Sequence, residues 1–570
     1  MSDREIPQRG SAAFGRRDLL RLGAAAAMAP VSAAAGAQRR QPGVDVEEAT
    51  IAELQGAMRR GRLSSLGLVR RYLARIEALD RHGPRLNSVL EINPDAESIA
   101  MQLDAERRAG RVRGPLHGIP MLLKDNVDTG DRMQTTAGSL ALVGAPAHQD
   151  ATVAAQLRAA GVVILGKANL SEWANFRSFH SSSGWSGRGG QCLNPYVLDR
   201  NPCGSSSGSG IAAAASLAAA TIATETDGSI VCPASICGVV GIKPTVGLTS
   251  RAGVVPISHS QDTIGSHGRT VADATAVLQA LATRAADPRD AATQVDRDRI
   301  PADYSAFVNP NGLRGARIGV MRQGVTGYSE ETDRVFEAAI AAMRSAGAVI
   351  VDPADLPSMD EIAASSAEVI VLVYEFKRDL NAYLATRTGV PVRTLADAIE
   401  FNLAHADREL KWFLQEWFDL AEADPFDEAT YLAALAEERR LGGADGIDAA
   451  LAQHDLDALV APTGQPTWPI DLVNGDHFLG ASSGPAAMAG YPIVTVPAGA
   501  AFGLPLGISF MGTAFSEPTL IALASGFEAV TRARRPPAYL RTLPLTSSTR
   551  RRGRGTPRLP NSRRSVICHL

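Results

Sequence analysis

Two hydroxyl clusters set among glycines lie close together in the 570-residue chain. They are Ser205-Ser206-Ser207 and Ser229, in the stretch NPCGSSSGSGIAAAASLAAATIATETDGSIV that begins at Asn201. Serine can serve as nucleophile and as proton relay, and glycine lets backbone N–H groups approach a ligand without interference from a Cβ. A Gly/Ser-rich stretch taken alone reads as a flexible linker. The alanine-rich helical run between the two clusters would be wasted in a linker, so the pattern points to a buried active-site loop.

A third group stands upstream, in Gly118-Ile119-Pro120-Met121-Leu122-Leu123-Lys124-Asp125-Asn126. The 57 basic residues include only five lysines, Lys124, Lys167, Lys243, Lys377 and Lys411. Arginine stays charged in proteins, whereas a buried lysine can lose its proton and act as a base. Lys124 ends the apolar, strand-like run Ile119 to Leu123, which suits desolvation. These residues leave a second reading open: a lysine at the mouth of a buried strand, its ammonium in water or paired with Asp125.

Taken together, Lys124, Ser205 and Ser229 make the chain resemble the amidase signature family, whose sites use a Ser–cis-Ser–Lys triad. The resemblance is carried by Leu122-Leu123-Lys124-Asp125, Gly204-Ser205-Ser206-Ser207-Gly208 and Asp227-Gly228-Ser229-Ile230. It continues through Gly241-Ile242-Lys243-Pro244-Thr245, Gln261-Asp262-Thr263-Ile264-Gly265 and Arg269-Thr270-Val271, and returns at Ala489-Gly490-Tyr491-Pro492 and Gly503-Leu504-Pro505-Leu506-Gly507. It spans roughly residues 45 to 540, and several separated blocks in order are far more specific than one motif. Many relatives carry Gly-Gly-Ser at the nucleophile, where this chain has Asp227-Gly228-Ser229.

The resemblance implies an α/β fold, a mixed β-sheet core covered by helices on both faces in a single large domain. It implies Ser229 as nucleophile, Ser205 on a cis peptide as relay, and Lys124 as a base that begins neutral. The lysine's ordinary pKa of about 10.4 must then be lowered by burial. Backbone N–H groups of Thr226, Asp227, Gly228 and Ser229 are the candidate oxyanion donors, with Ser206 beside them as a substrate-binding residue. The substrate expected is a small-molecule or peptide C-terminal amide, cleaved to an acid and ammonia or an amine.

Gly204-Ser205-Ser206-Ser207-Gly208 also satisfies G-x-S-x-G, the nucleophile elbow of α/β-hydrolases, with Ser206 as nucleophile. That elbow must follow a buried strand, and the preceding Leu193 to Pro202 carries two prolines and turn-forming residues. His405, His454 and His477 sit in polar contexts, and His259 and His267 read as structural hydrogen-bonders. The A subunit of a tRNA-dependent amidotransferase shares the triad and is the alternative function. A binding protein on an inactivated amidase scaffold is a third, opposed by the intact triad.

At 45% hydrophobic and 21% charged residues, the chain can bury a large core. Its net charge of −3 gives no reason to expect nucleic acid or an anionic membrane as partner. No run is long and apolar enough for stable membrane insertion. There is no HExxH, paired CxxC or Walker-type loop, so no metal or cofactor is expected. Cys192, Cys203, Cys232 and Cys237 flank the proposed site and read as small packing residues outside any disulfide framework.

The elements that must position these groups alternate between helix and short buried strand. Ala49 to Leu79, Ala96 to Ala109 and Glu330 to Ala346 read as helices; Val162 to Leu165, Leu313 to Met321, Val349 to Val351 and Leu459 to Thr463 read as strands. Residues 360 to 455 read as mostly helical, with Trp412, Phe413, Trp417, Phe418 and Tyr431 as a core cluster; the family resemblance implies that some of them line the substrate pocket.

The chain divides into an export signal at 1–37, an amidase domain at 38–540 and an Arg-rich tail at 541–570, expected to be disordered. Arg16-Arg17 precedes a short apolar run and Ala35-Gly36-Ala37, which reads as a twin-arginine signal cleaved near Gln38. A bacterial protein working in the periplasm or outside the cell is the expectation.

Overall fold

The computed structural model describes residues 44–544. The export signal and all but the first four residues of the Arg-rich tail lie outside the described residues. Eleven strands form one sheet: β1 (Val89–Ile92), β2 (Pro120–Lys124), β3 (Val163–Ala168), β4 (Ala220–Glu225), β5 (Val240–Lys243), β6 (Thr263–Gly268), β7 (Arg317–Val320), β8 (Val349–Val351), β9 (Ala458–Pro462), β10 (Ile493–Ala501) and β11 (Leu504–Met511). Their spatial order is β1-β3-β2-β4-β6-β5-β10-β11-β9-β7-β8. The sheet is mixed: β2 runs parallel to β3 and β4, and β7 parallel to β8 and β9, while the remaining pairs are antiparallel.

Every residue of β2, β3, β4, β5, β6, β9 and β11 is buried, as expected of strands covered on both faces. Alternation along β10 shows the two layers. Val494 and Val496 pack with Val271, Phe336 and Leu520 from three helices on one side. Ile493 points the other way, into a cluster with Ile447, Ala450 and Ala486.

The expected helix from Ala49 to Leu79 is broken into Ile51–Arg59 and Ser65–Arg75. Gly61 takes a left-handed φ of 65°, and Ser64 caps the second helix by accepting from the Gly67 N–H. The alanine-rich run after Ser207 is helical only to Ala214; Ala220–Glu225 is β4. Alanine favours helix intrinsically, but pairing between β2 and β6 decides the second half.

Within residues 360–455, Phe413, Trp417, Phe418 and Tyr431 are buried, and Trp412 is exposed. Trp417 stacks on Phe176 and Phe418 meets Trp173 edge-on, so these rings fill a core. Among the described residues no helix is long and apolar enough to cross a membrane.

Candidate active site

Parallel pairing of β2 with β4 brings Lys124 and Thr224 together at the carboxyl ends of adjacent strands. Lys124 is fully buried, and its Nζ lies 2.7 Å from Ser205 Oγ, 2.8 Å from Thr224 Oγ1 and 3.2 Å from the Thr224 carbonyl. Burial lowers its pKa to about 7, against the opposing pull of the Asp262 and Glu225 carboxylates. A neutral amine retains two N–H bonds and one lone pair. The lone pair can face only a hydroxyl, because a carbonyl has no proton to give. Ser205 supplies such a hydroxyl, so the contact is suited to passing a proton in either direction.

The Gly204–Ser205 peptide is cis. Its loop is pinned on several sides: the Ser171 N–H donates to the Ser205 carbonyl at 3.0 Å, and Ser207 Oγ donates to the Cys203 carbonyl at 2.6 Å. A Cβ at position 204 would lie 2.1 Å from Ser171 Oγ, so a side chain there would have to displace that hydroxyl, which accepts from the Gly184 N–H.

Ser206 does not meet the expectation of a substrate contact. Its hydroxyl donates to the Thr224 carbonyl at 3.0 Å and accepts from the Thr224 N–H at 3.2 Å, closing the end of β4. It is wholly buried and follows no strand, which also removes the α/β-hydrolase elbow.

Ser229 lies in the turn between β4 and the helix Val231–Ile236. Gly228 makes the turn at a φ of 75°. The Ser206 N–H donates to the Ser229 carbonyl at 3.2 Å, tying the two serine loops together. Ser229 Oγ makes no protein hydrogen bond among the described residues, not even to Ser205. The backbone N–H groups of Thr226, Asp227, Gly228 and Ser229 likewise donate to no protein group there. A run of unpaired donors beside a hydroxyl is the arrangement an oxyanion requires.

Sequence reasoning gave no role to the groups that hold this turn. Glu225 Oε2 accepts from the N–H groups of Ile230 and Val231 at 2.6 and 2.9 Å. Asp262 accepts from Thr226 Oγ1 at 2.5 Å and from the N–H groups of Ile257 and Ser258, and burial raises its pKa to about 6. An acid ending the otherwise uncharged run Ala220–Thr224 was the available signal for Glu225, since a buried carboxylate needs donors. His267 is buried, and its Nε2 lies 2.8 Å from the Ile230 carbonyl.

The cysteine expectation is corrected here. Cys203 and Cys232 form a disulfide, joining the residue two before Ser205 to the residue three after Ser229. They are 29 residues apart, and only the folding of β4 between the two loops brings them together. Closing a loop of that length stabilises by about 3–4 kcal/mol in the chain-entropy account. Cys192 and Cys237 are free and buried. A cavity of about 390 Å³ opens beside Thr224 and Thr226, with Asn126, Asp262, Val255 and Tyr383 among its walls. The helix Ala367–Thr386 lines this cavity through Asp379, Ala382, Tyr383 and Thr386, and none of Trp412, Phe413, Trp417, Phe418 and Tyr431 is among its walls.

A sheet of this topology with a buried lysine on a cis serine defines a class of amide-cleaving enzymes, and the comparisons agree. The model of the Amidase family matches residues 67–521, and the chain belongs to that family. It is similar to the native peptide amidase of Stenotrophomonas maltophilia, with 53% identity and a TM-score of 0.82 over 86% of this chain and 99% of that one. A probable amidase of Arabidopsis thaliana is 44% identical over 87% of this chain and 92% of its own length. The A subunit of the glutamyl-tRNA(Gln) amidotransferase from a Synechococcus species is 35% identical over 82% and 90% respectively.

Proposed function

We propose that the protein hydrolyses C-terminal amides of peptides or small acyl amides through an acyl-enzyme on Ser229. The observation that carries this is the 2.7 Å contact between buried Lys124 Nζ and Ser205 Oγ, one loop away from Ser229. Ser229 Oγ bonds to the amide carbon as its proton passes to Ser205 while Ser205 gives its own to neutral Lys124. The oxyanion is received by the unpaired N–H groups of residues 226–229. The C–N bond then breaks as the lysine proton returns through Ser205 to the leaving nitrogen, releasing ammonia. Water, deprotonated along the same path, attacks the ester and frees the acid and Ser229.

Similarity to a peptide amidase over 99% of that chain supports the substrate class. Incubating the protein with peptide amides should release ammonia and the free acid with no partner protein present. Ammonia release from glutamine that depends on charged tRNA and added subunits, with no hydrolysis of peptide amides, would establish the amidotransferase reading instead.

The second part of the proposal is export by the twin-arginine route, with the mature chain beginning near Gln38. The Cys203–Cys232 disulfide supports it, because such bonds persist in oxidising compartments. Replacing Arg16 and Arg17 by lysine should leave amidase activity intact and hold the full-length protein in the cytoplasm. The unaltered chain should appear shortened in the periplasmic or extracellular fraction; a full-length cytoplasmic product would end the export reading.

A further inference from the structure

Beside the nucleophile turn stands a group of carboxylates that the mechanism does not use. Asp227, two residues before Ser229, directs its side chain towards Ser483, and its Oδ1 has no hydrogen-bond partner. Glu368, in the first turn of the helix Ala367–Thr386, lies close enough to Asp227 for the two charges to oppose one another. Glu438, near the end of the helix Glu428–Arg439, adds a third carboxylate next to Glu368. Asp227 and Glu368 are partly exposed, whereas Glu438 is 0% exposed and neither of its oxygens has a partner.

A neutral residue in the same place points the same way. Gln261 is 0% exposed; its Nε2 donates to Glu368 Oε1 at 2.9 Å, and its Oε1 has no partner. The unpaired atoms of Asp227, Gln261 and Glu438 are therefore all acceptors. No salt bridge joins Asp227, Glu368 or Glu438 to a basic side chain among the described residues. The amine of nearby Lys243 is committed to the Tyr491 carbonyl at 2.6 Å and the Ala486 carbonyl at 3.3 Å. Unpaired buried acceptors are costly, and a surplus of them calls for a donor-rich guest.

The guest is not a single metal ion. Among the described residues only His259, Glu375 and Asp379 bring three ligand atoms within 4.8 Å of one another, and Glu375 there already accepts from Ser258, Ser260 and Tyr431. The carboxylates of Asp227, Glu368 and Glu438 do not come together in this way. The unpaired acceptors of Asp227, Gln261 and Glu438 suit an organic cation with several N–H donors, and Asp227 stands two residues before Ser229.

We infer that the acidic wall formed by Asp227, Glu368 and Glu438, with Gln261, selects amides whose acyl part carries an ammonium or guanidinium group. The inference rests on the reading of Ser229 as nucleophile. Without a guest, burial raises the pKa of Asp227 and pushes Glu368 up to about 8 and Glu438 up to about 9, so each acid is held short of the ion pair that a cation would supply. The cation has two possible sources: the free α-ammonium of an amino-acid amide, nearest Asp227, or a basic side chain on the C-terminal residue, reaching Glu368.

The test measures kcat/KM for two matched pairs. N-acetyl-argininamide against N-acetyl-citrullinamide reports a side-chain cation. Leucinamide against its α-hydroxy analogue reports the α-ammonium. In at least one pair the cationic amide should be preferred about tenfold or more, the usual worth of a charge-assisted hydrogen bond. Glu368→Gln and Glu438→Gln should reduce that preference while kcat/KM for the neutral amides stays within about twofold. A thermal melt identifies a variant that fails to fold, and the other variant with the wild-type ratio then decides. Equal kcat/KM within both pairs, or a preference untouched by both substitutions, would overturn the inference and leave the amidase reading standing. If the wild type cleaves none of the four amides, both fall.

Discussion

Ser229→Ala is expected to reduce amide turnover by about 10⁵- to 10⁶-fold, the scale seen when a hydrolase loses its nucleophile. The substitution removes one oxygen that bonds to no protein group in the resting structure. Folding should therefore be almost unaffected, with stability changed by less than about 0.5 kcal/mol. This pairing separates a chemical role from a structural one. Its measurement is ammonia release beside a thermal melt of the same preparation. Near-normal turnover would remove Ser229 from the mechanism, and lost activity with a collapsed melt would leave its role structural. Ser205→Ala should be milder, because a water in the vacated space can carry the proton.

Lys124→Met should be nearly as severe as Ser229→Ala, since groups acting as a unit are not additive. The double variant should be no worse than either single one. The pH profile gives the sharper prediction. Lys124 must be neutral to accept a proton, and its pKa is about 7. Activity should therefore be full above that value, and kcat/KM should fall about tenfold per pH unit below it. Asp262→Asn removes a negative charge that favours the ammonium form, so the acid limb should move to lower pH. His267 is held at about 4 by burial and cannot produce a limb near neutrality. A limb that stays in place in Asp262→Asn and traces to a histidine essential by substitution would end the lysine mechanism.

The proposed chemistry was legible because it depends on residue type and local spacing. Lys124 ends an apolar strand, and Ser205 and Ser229 each sit in a glycine-flanked turn. The sheet was legible only in outline. β4 is hidden within an alanine-rich run, and its strand character comes from β2 and β6, which lie roughly 100 and 40 residues away in the chain. Ser206 looked like a substrate contact because serine is equally suited to binding and to closing a strand end; its two hydrogen bonds to Thr224 settle which.

By itself, the sequence determined the family and the mixed α/β architecture, and it is the source of the proposed triad and the proposed export address. Each is encoded in short stretches where glycine, serine, lysine or arginine has few other uses. Only the tertiary structure decided that Cys203 and Cys232 are joined, that Glu225 and Asp262 brace the turn carrying Ser229, and that Gln261 reaches Glu368. The disulfide, the Asp262–Thr226 contact and the Gln261–Glu368 contact join residues 29, 36 and 107 positions apart. Contacts of that kind depend on how strands and helices pack, and neither propensity nor periodicity carries that information.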